Sequence, residues 1–304
     1  MEESELNSLQ LEIIDWYSRQ EIVFELVKLL KNRETVFISP FSGKATRMMK
    51  IHCLNHWKAV CKWMNFYHKI YNLFYSLAKY DGDGIPNQVF DFEARKPINR
   101  QWTEDNWKHI TGFDMMIDFD CDNDKQCEEV KKDVLKVSEL LKDVPHSIRF
   151  SGCGFHIIIS SEFLFKPLSQ EWYNPDKIIS FYSLWEDILK ALQKDYCGLI
   201  DIGITDSRRV CKVPYSLALY EEGAYVCYPY FKHSEISEIL IPQFTTSWIL
   251  SSTSSIRNRG VPILNLEKVN DADPSAAMRL VCQKLLGANK WSKYEKLINN
   301  DKSA

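Results

Sequence analysis

The chain is predicted to adopt an α+β fold in which a ferredoxin-like (RRM-like) sheet follows an N-terminal α/β subdomain, and three observations lead there. Residues 113–120 alternate with the period of a strand, so Phe113, Met115, Ile117 and Phe119 share one side and Asp114, Met116, Asp118 and Asp120 the other. Two long segments, 125–143 and about 178–194, repeat apolar residues at three- and four-residue steps, the mark of helices with one buried stripe. Short apolar runs between and after them complete the order strand, helix, strand, strand, helix, strand.

In chain order, residues 9–31 place Leu11, Ile14, Ile22, Leu26, Leu29 and Leu30 at helical spacing, with basic residues at the far end where a helix dipole favours them. Glu34–Ser39 predicts a short strand closed by Pro40, Ser42 and Gly43, with its partner over Arg47–Ile51. Helical spacing returns over 54–63, and Tyr71–Tyr80 reads as a strand. Asp81–Trp107, rich in Asp, Gly, Pro and Asn, is a long loop of the kind that is functional or mobile.

The acidic strand comes next, followed by a helix with Val130, Val134, Val137, Leu141 and Val144 on its stripe, stopped by Pro145. Ser147–Phe150 and Phe155–Ser160 are separated only by SGCG, the length of a hairpin turn. The second helix aligns Ile178, Phe181, Trp185, Ile188 and Leu192, and LIDIGIT (199–205) is the last strand. In this arrangement the first strand is expected to lie centrally, between the third and the fourth. Beyond 266, Ala276–Leu286 and Trp291–Ile298 predict short amphipathic helices that dock on the body or, alternatively, on a partner.

With 304 residues, 45% hydrophobic and 26% charged, the chain buries a sizeable core as one large or two small units. No apolar run reaches membrane-spanning length, and the acidic, amphipathic start MEESELNSLQLEIID is unlike a basic cleavable leader. An intracellular protein with no membrane partner is expected. Nine cysteines without a C-x-x-C pair indicate neither a disulfide framework nor a ribbon-type zinc site. His52, Cys53, His56 and Cys61 lack the spacing of a tetrahedral site, so no zinc is expected. A net charge of -3 excludes coating of nucleic acid by bulk charge, which leaves local clusters such as Lys44, Arg47 and Lys50, or Arg208, Arg209 and Lys212.

An isolated D-x-D usually marks the wet face of an edge strand. Here the predicted strands bring more to that face: Ile148, Phe150, Phe155, Ile157, Ile159, Ile200, Ile202 and Ile204 turn to the helices, while Arg149, His156 and Asp201 join Asp118 and Asp120 opposite. Crowded carboxylates repel one another unless a cation neutralises them. A calcium loop fits the offsets of Asp118, Asp120, Asp122 and Glu129, but Asn123 stands where its turn needs Gly and a strand leads in where it needs a helix. Three aspartates can instead hold two Mg2+ or Mn2+ ions, the arrangement of nucleotidyl transfer. Ser151, Gly152 and the amides of the SGCG turn, with His156, Arg209 and Lys212, are then suited to triphosphate oxygens.

The segments TGFDMMIDFDCD, FSGCGFHI and LIDIGITDSRRVCKVPYSL resemble the three motifs of the small catalytic subunit of archaeal and eukaryotic primases and of the wider primase-polymerase superfamily: D-x-D after a hydrophobic run, S-G-x-G-x-H, and a hydrophobic residue followed by Asp. RETVF, Arg47, FYSLAKY and IRNRGVP extend the likeness over about residues 30–265. The resemblance implies a primase-polymerase fold with Asp118, Asp120 and Asp201 as catalytic metal ligands, His156 on the incoming nucleotide with Ser151 nearby, and Arg209 and Lys212 in the basic part of the third motif. It implies a DNA primase that joins NTPs or dNTPs on a single-stranded DNA template during replication, with a large primase subunit or a helicase as partner. Residues 1–110 then form the N-terminal subdomain, 111–265 the catalytic subdomain and 266–304 a helical tail.

The chain also departs from the family. It has no Cys- and His-bearing zinc module after the first motif, Lys212 stands where Arg is common, and Ser216, Leu217 and Ala218 replace the usual Ser-Leu-His. Gap-filling repair polymerases of the superfamily share every residue named. A nucleotide cyclase also sets two aspartates on such a sheet but leaves S-G-x-G-x-H unexplained, and a rolling-circle nuclease needs paired histidines where this chain has one. An accessory subunit that has lost turnover is the non-enzymatic alternative.

Overall fold

A computed structural model describes residues 11, 14–39, 42–48, 51–66, 71–81, 89–91, 96–98, 109–121, 124–152, 154–164, 175–196, 199–206, 208–220, 223–230 and 274–287. The core is built from two antiparallel four-stranded sheets with helices packed around them. The first sheet has the order β11 (Val210–Lys212), β3 (Asn72–Ser76), β1 (Thr35–Ile38), β2 (Ala45–Met48). The predicted strand at 34–39 is β1, rich in β-branched residues and buried, and its partner lies slightly earlier than Arg47–Ile51. Helices α1 (Gln20–Leu30) and α2 (Leu54–Phe66) pack on one another beside this sheet. A helical turn at 14–18 is pinned to residues about 200 positions later in the chain: the Trp16 indole donates to Tyr215 O at 2.8 Å, and the Leu217 N–H donates to Tyr17 Oη at 2.9 Å.

The strand expected over Tyr71–Tyr80 is two, β3 and β4 (Ala78–Tyr80), because Leu77 leaves the ladder. Its N–H goes to Arg209 O and its C=O takes the Asp114 N–H, so the chain switches partners at that residue. The acidic strand breaks in register with it, into β7 (Ile110–Phe113), which pairs with β4, and β8 (Met115–Asp120). Asp114 at the break is therefore not a member of the acidic face. It is buried and ion-paired to Arg33 at 2.9 Å. Within the long loop, Val89–Asp91 (β5) and Lys96–Ile98 (β6) form a small antiparallel pair, and most of the rest lies outside the described residues.

After β11 the chain forms a hairpin of β12 (Leu217–Tyr220) and β13 (Gly223–Val226), and the second sheet has the order β14 (Tyr228–Tyr230), β9 (Ser147–Phe150), β10 (Gly154–Ile159), β8. Helix α3 (Asp124–Leu140) covers it through Val130, Val134 and Val137. Helix α5 (Pro175–Asp195), preceded by the short α4 (Ser161–Leu164), buries Trp185, Ile188 and Leu192, and its Trp185 indole donates to Met116 O at 2.8 Å. LIDIGIT does not form the fourth strand that its alternation predicts. It touches β8 through one bridge, Phe119↔Ile200, and then turns, because Asp201 Oδ1 takes the Gly203 N–H at 2.7 Å and folds the chain back on itself. The first strand is thus flanked by the third and, at a single point, by the segment expected as the fourth.

Val210–Lys212, from the third motif, joins the first sheet beside β3 rather than the second. The predicted helix at 276–286 is α6 (Pro274–Leu286), which packs on α4 and α5 with Val281 and Cys282 fully buried and Lys284 paired to Asp143. The helix predicted at 291–298 and the IRNRGVP block lie outside the described residues.

One glycine of the hairpin is required by space. A Cβ on Gly154 would lie 2.1 Å from Phe119 O, a backbone atom that cannot rotate away. Gly154→Ala is expected to push β10 off β8 and to destabilise the fold by about 1–3 kcal/mol, read as a lowered urea midpoint; an unchanged midpoint would show that the strands part without cost.

Candidate active site

The site residues lie along one cross-strand row. Directly paired residues of antiparallel strands project to the same side, and the registers Arg149↔His156 and His156↔Asp118 line these side chains up across β9, β10 and β8. The bridge at Phe119↔Ile200 extends the row. The Asp201 N–H donates to Asp118 O at 3.0 Å and the Asp120 N–H to Leu199 O at 3.1 Å, which sets Asp201 opposite Asp118. Asp118, His156 and Asp201, distant in sequence, are brought together.

His156 Nε2 donates to Asp118 Oδ1 at 3.2 Å, and Nδ1 meets Cys211 Sγ at 3.3 Å. Burial works against charge on this imidazole, but the Asp118 carboxylate and then Cys211 outweigh it and lift its pKa to about 10. At neutral pH it is an imidazolium held between an acid and a sulfur. Next in the row, Arg149 is only 2% exposed and donates to Tyr75 Oη at 2.8 Å, with its guanidinium 5.6 Å from that ring's centroid. Burial opposes its charge as well, and Tyr75, Cys211 and Cys227 together keep it protonated.

The face was expected to be open. Instead the first sheet covers its Arg149 end, where Tyr75 of β3 and Cys211 of β11 stand over Arg149 and His156. The row becomes accessible toward β8, where Asp118 is partly exposed and Asp120, at the strand end opposite Gly154, is exposed.

The remaining predicted residues divide. Ser151 is buried, and its N–H closes the hairpin onto Gly154 O at 2.8 Å, so that amide is not one of the phosphate donors expected of SGCG. Gly152 adopts φ +105°, a conformation that favours glycine, and makes the turn possible. Arg209 bonds Gly203 O and pairs with Asp206 at 3.3 Å, which clips the loop that follows Asp201. Lys212 is not with the row: strand alternation sends it to the side opposite Cys211, with its ammonium 5.8 Å from the Phe74 ring. Cys211 and Tyr75 are the site neighbours that sequence reasoning missed. The signal for Cys211 was its place next to Lys212, since only one of two adjacent strand residues can face the row.

Among the described residues no three His, Cys, Asp or Glu side chains form a ready cage for a metal ion. The donor set still fits a hard divalent cation, because Mg2+ is usually held by one or two carboxylates and takes its other ligands from water and phosphate. Asp118 and Asp201 supply two adjacent carboxylates, with one oxygen of Asp118 tied to His156 and one of Asp201 tied to Gly203. Asp120 stands at the same strand end. Of His52, Cys53, His56 and Cys61, which helical spacing would place on one helix, His56 and Cys61 lie on α2 while His52 and Cys53 precede its start.

Fold and site together define a mixed α/β protein with antiparallel sheets and a carboxylate pair at the margin of one of them. A solved structure shares this fold. The polymerase domain of Mycobacterium tuberculosis Ligase D, in complex with DNA, matches with a TM-score of 0.51 at 13% identity, over 87% of this chain and 93% of that one. The catalytic domain of primase Repb' in complex with initiator DNA matches with a TM-score of 0.37 at 8% identity, over 79% of this chain and 95% of that one. No family model and no curated protein matches the chain.

Proposed function

We propose that this chain is a DNA-directed nucleotidyltransferase of the primase-polymerase superfamily, with a ferredoxin-like catalytic sheet, that makes primers on single-stranded DNA. The observation that carries the reading is the juxtaposition of Asp118 and Asp201 from separate segments, with the His156 imidazolium bonded to Asp118. The shared fold of a polymerase domain supports it.

In this reading Asp118 and Asp201, with Asp120 beside them, hold Mg2+ or Mn2+. Such cations supply positive charge to the triphosphate and acidify an attacking hydroxyl. His156 holds the Asp118 carboxylate in one orientation and adds a positive charge near the phosphates. Arg209 keeps the Asp201 loop folded and presents its guanidinium at the exposed end. Gly152 and Gly154 let the hairpin pass close to β8, so that the row stays narrow. A large primase subunit or helicase as partner belongs to the same proposal.

The test is incubation of the full chain with circular single-stranded DNA, Mg2+ or Mn2+, and ribo- or deoxynucleoside triphosphates in parallel, followed by sizing of the products. Short chains made on unprimed template are the expected result. Extension only of an annealed primer assigns gap filling instead, and no incorporation on either template rejects nucleotidyl transfer.

A further inference from the structure

The catalytic reading leaves unused a groove on the N-terminal helices. It has a volume of about 820 Å³ and runs between α1 and α2, with Tyr17 at its back. Val23 and Val27 of α1 face Trp57 and Cys61 of α2 across it, positions that recur at helical steps and keep an apolar stripe on each wall. Phe24 at 68% exposure and Leu54 at 46% stand at its lips, two large apolar side chains that nothing in the fold needs in water. Both walls are basic: Lys28 and Lys31 on one side, Lys58 and Lys62 on the other, all exposed.

We infer that this groove docks an acidic amphipathic helix of a partner protein. Two helices with facing stripes and a gap between them offer the third position of a three-helix packing, and the eleven residues of α1 run about 16 Å, the length of three helical turns. An incoming helix would place leucine-like residues at i, i+3, i+4 and i+7 on Phe24, Val27 and Leu54, over a floor of the already buried Val23 and Trp57, and its flanking glutamates or aspartates beside the lysines of both walls. The charge pattern selects this occupant. A fatty acid brings one carboxylate to one wall, whereas the exposed lysines stand on both walls and match acids on both edges of a helix. Single-stranded nucleic acid stacks successive bases on aromatic faces, and the groove's Tyr17 and Trp57 rings, each 1% exposed, do not offer them. A two-fold contact with a second copy would set lysines against lysines.

The probe is a fluorescein-labelled, end-blocked 14-residue peptide with leucines at i, i+3, i+4, i+7 and i+8 and glutamates on both flanks, titrated into the full chain by anisotropy. Micromolar binding is expected, weakened about tenfold or more by Lys28→Glu with Lys58→Glu, and weakened also by Phe24→Ala, each variant keeping its melting temperature. Bound peptide should slow alkylation of Cys61, which lines the groove, and not that of the exposed Cys53. The inference fails if the peptide does not bind, if charge reversal leaves binding unchanged, if Cys61 is not protected, or if laurate or an oligothymidylate displaces the peptide at equal concentration. It is independent of the nucleotidyl-transfer reading, since none of these readouts involves Asp118.

Discussion

Asp114→Ala is expected to cost the folded chain about 3–5 kcal/mol, because it strands a buried guanidinium. The Asp114 side chain is 4% exposed and that of Arg33 6%, and they meet at 2.9 Å. Asp114 Oδ1 also takes the Ser161 N–H at 2.9 Å, while Arg33 donates to Ser76 O and Leu77 O and lies 5.2 Å from the Tyr75 ring centroid. The pair therefore sits where β3 passes into β4 and β7 into β8, the point at which both strands change partners. Loss of the carboxylate leaves an unpaired charge and an unpaired N–H in a site that water does not reach. A urea midpoint lowered at constant m-value is the signature, and a change under about 1 kcal/mol would show that the pair contributes little beyond packing. The double variant Arg33→Met, Asp114→Leu is expected to recover most of the loss, as apolar replacements of buried ion pairs do. Activity of Asp114→Ala should fall only with the folded fraction, because the residue lies outside the proposed catalytic row.

How far the row was legible in the sequence depends on where strand alternation is reliable. It assigned Asp118 and His156 to one face because β8 and β10 are six residues each, long enough for alternation to show on each strand which side its apolar residues bury. It failed at Asp114, where the same parity runs through a break that the sequence does not mark and that only the Leu77 and Arg33 contacts create. It failed again at LIDIGIT, whose isoleucines alternate well while the Asp201 side chain bends the backbone after a single bridge. Lys212 and Cys211 show the limit most plainly. A three-residue strand is too short to reveal its parity, and which of the two faces the row is decided by Tyr75, more than 130 residues earlier in the chain. The cover that the first sheet lays over Arg149 is of this long-range kind, and no local pattern announces it.

Asp118→Asn is expected to lower nucleotide incorporation by about 10²–10³-fold or more while leaving the fold in place, since it removes charge at the reacting end of the row but keeps the shape of the side chain. The partial exposure of Asp118 limits the structural cost. A second readout separates this role from simple misfolding. In the metal-free chain the raised pKa of His156, about 10 against an ordinary value of 6.5, is owed first to Asp118 acting against burial. A histidine whose folded pKa lies above its unfolded one stabilises the fold fully below the unfolded value, and that contribution is lost as pH rises through the folded pKa. Metal-free wild type should therefore lose stability between about pH 6.5 and 10, and Asp118→Asn should flatten this slope because the largest contribution opposing burial is removed and only that of Cys211 is left against it. Histidine NMR titration in chelator checks the shift directly. Incorporation that survives Asp118→Asn, with His156 still titrating near 10, would remove both the catalytic carboxylate and the pairing on which the site is built.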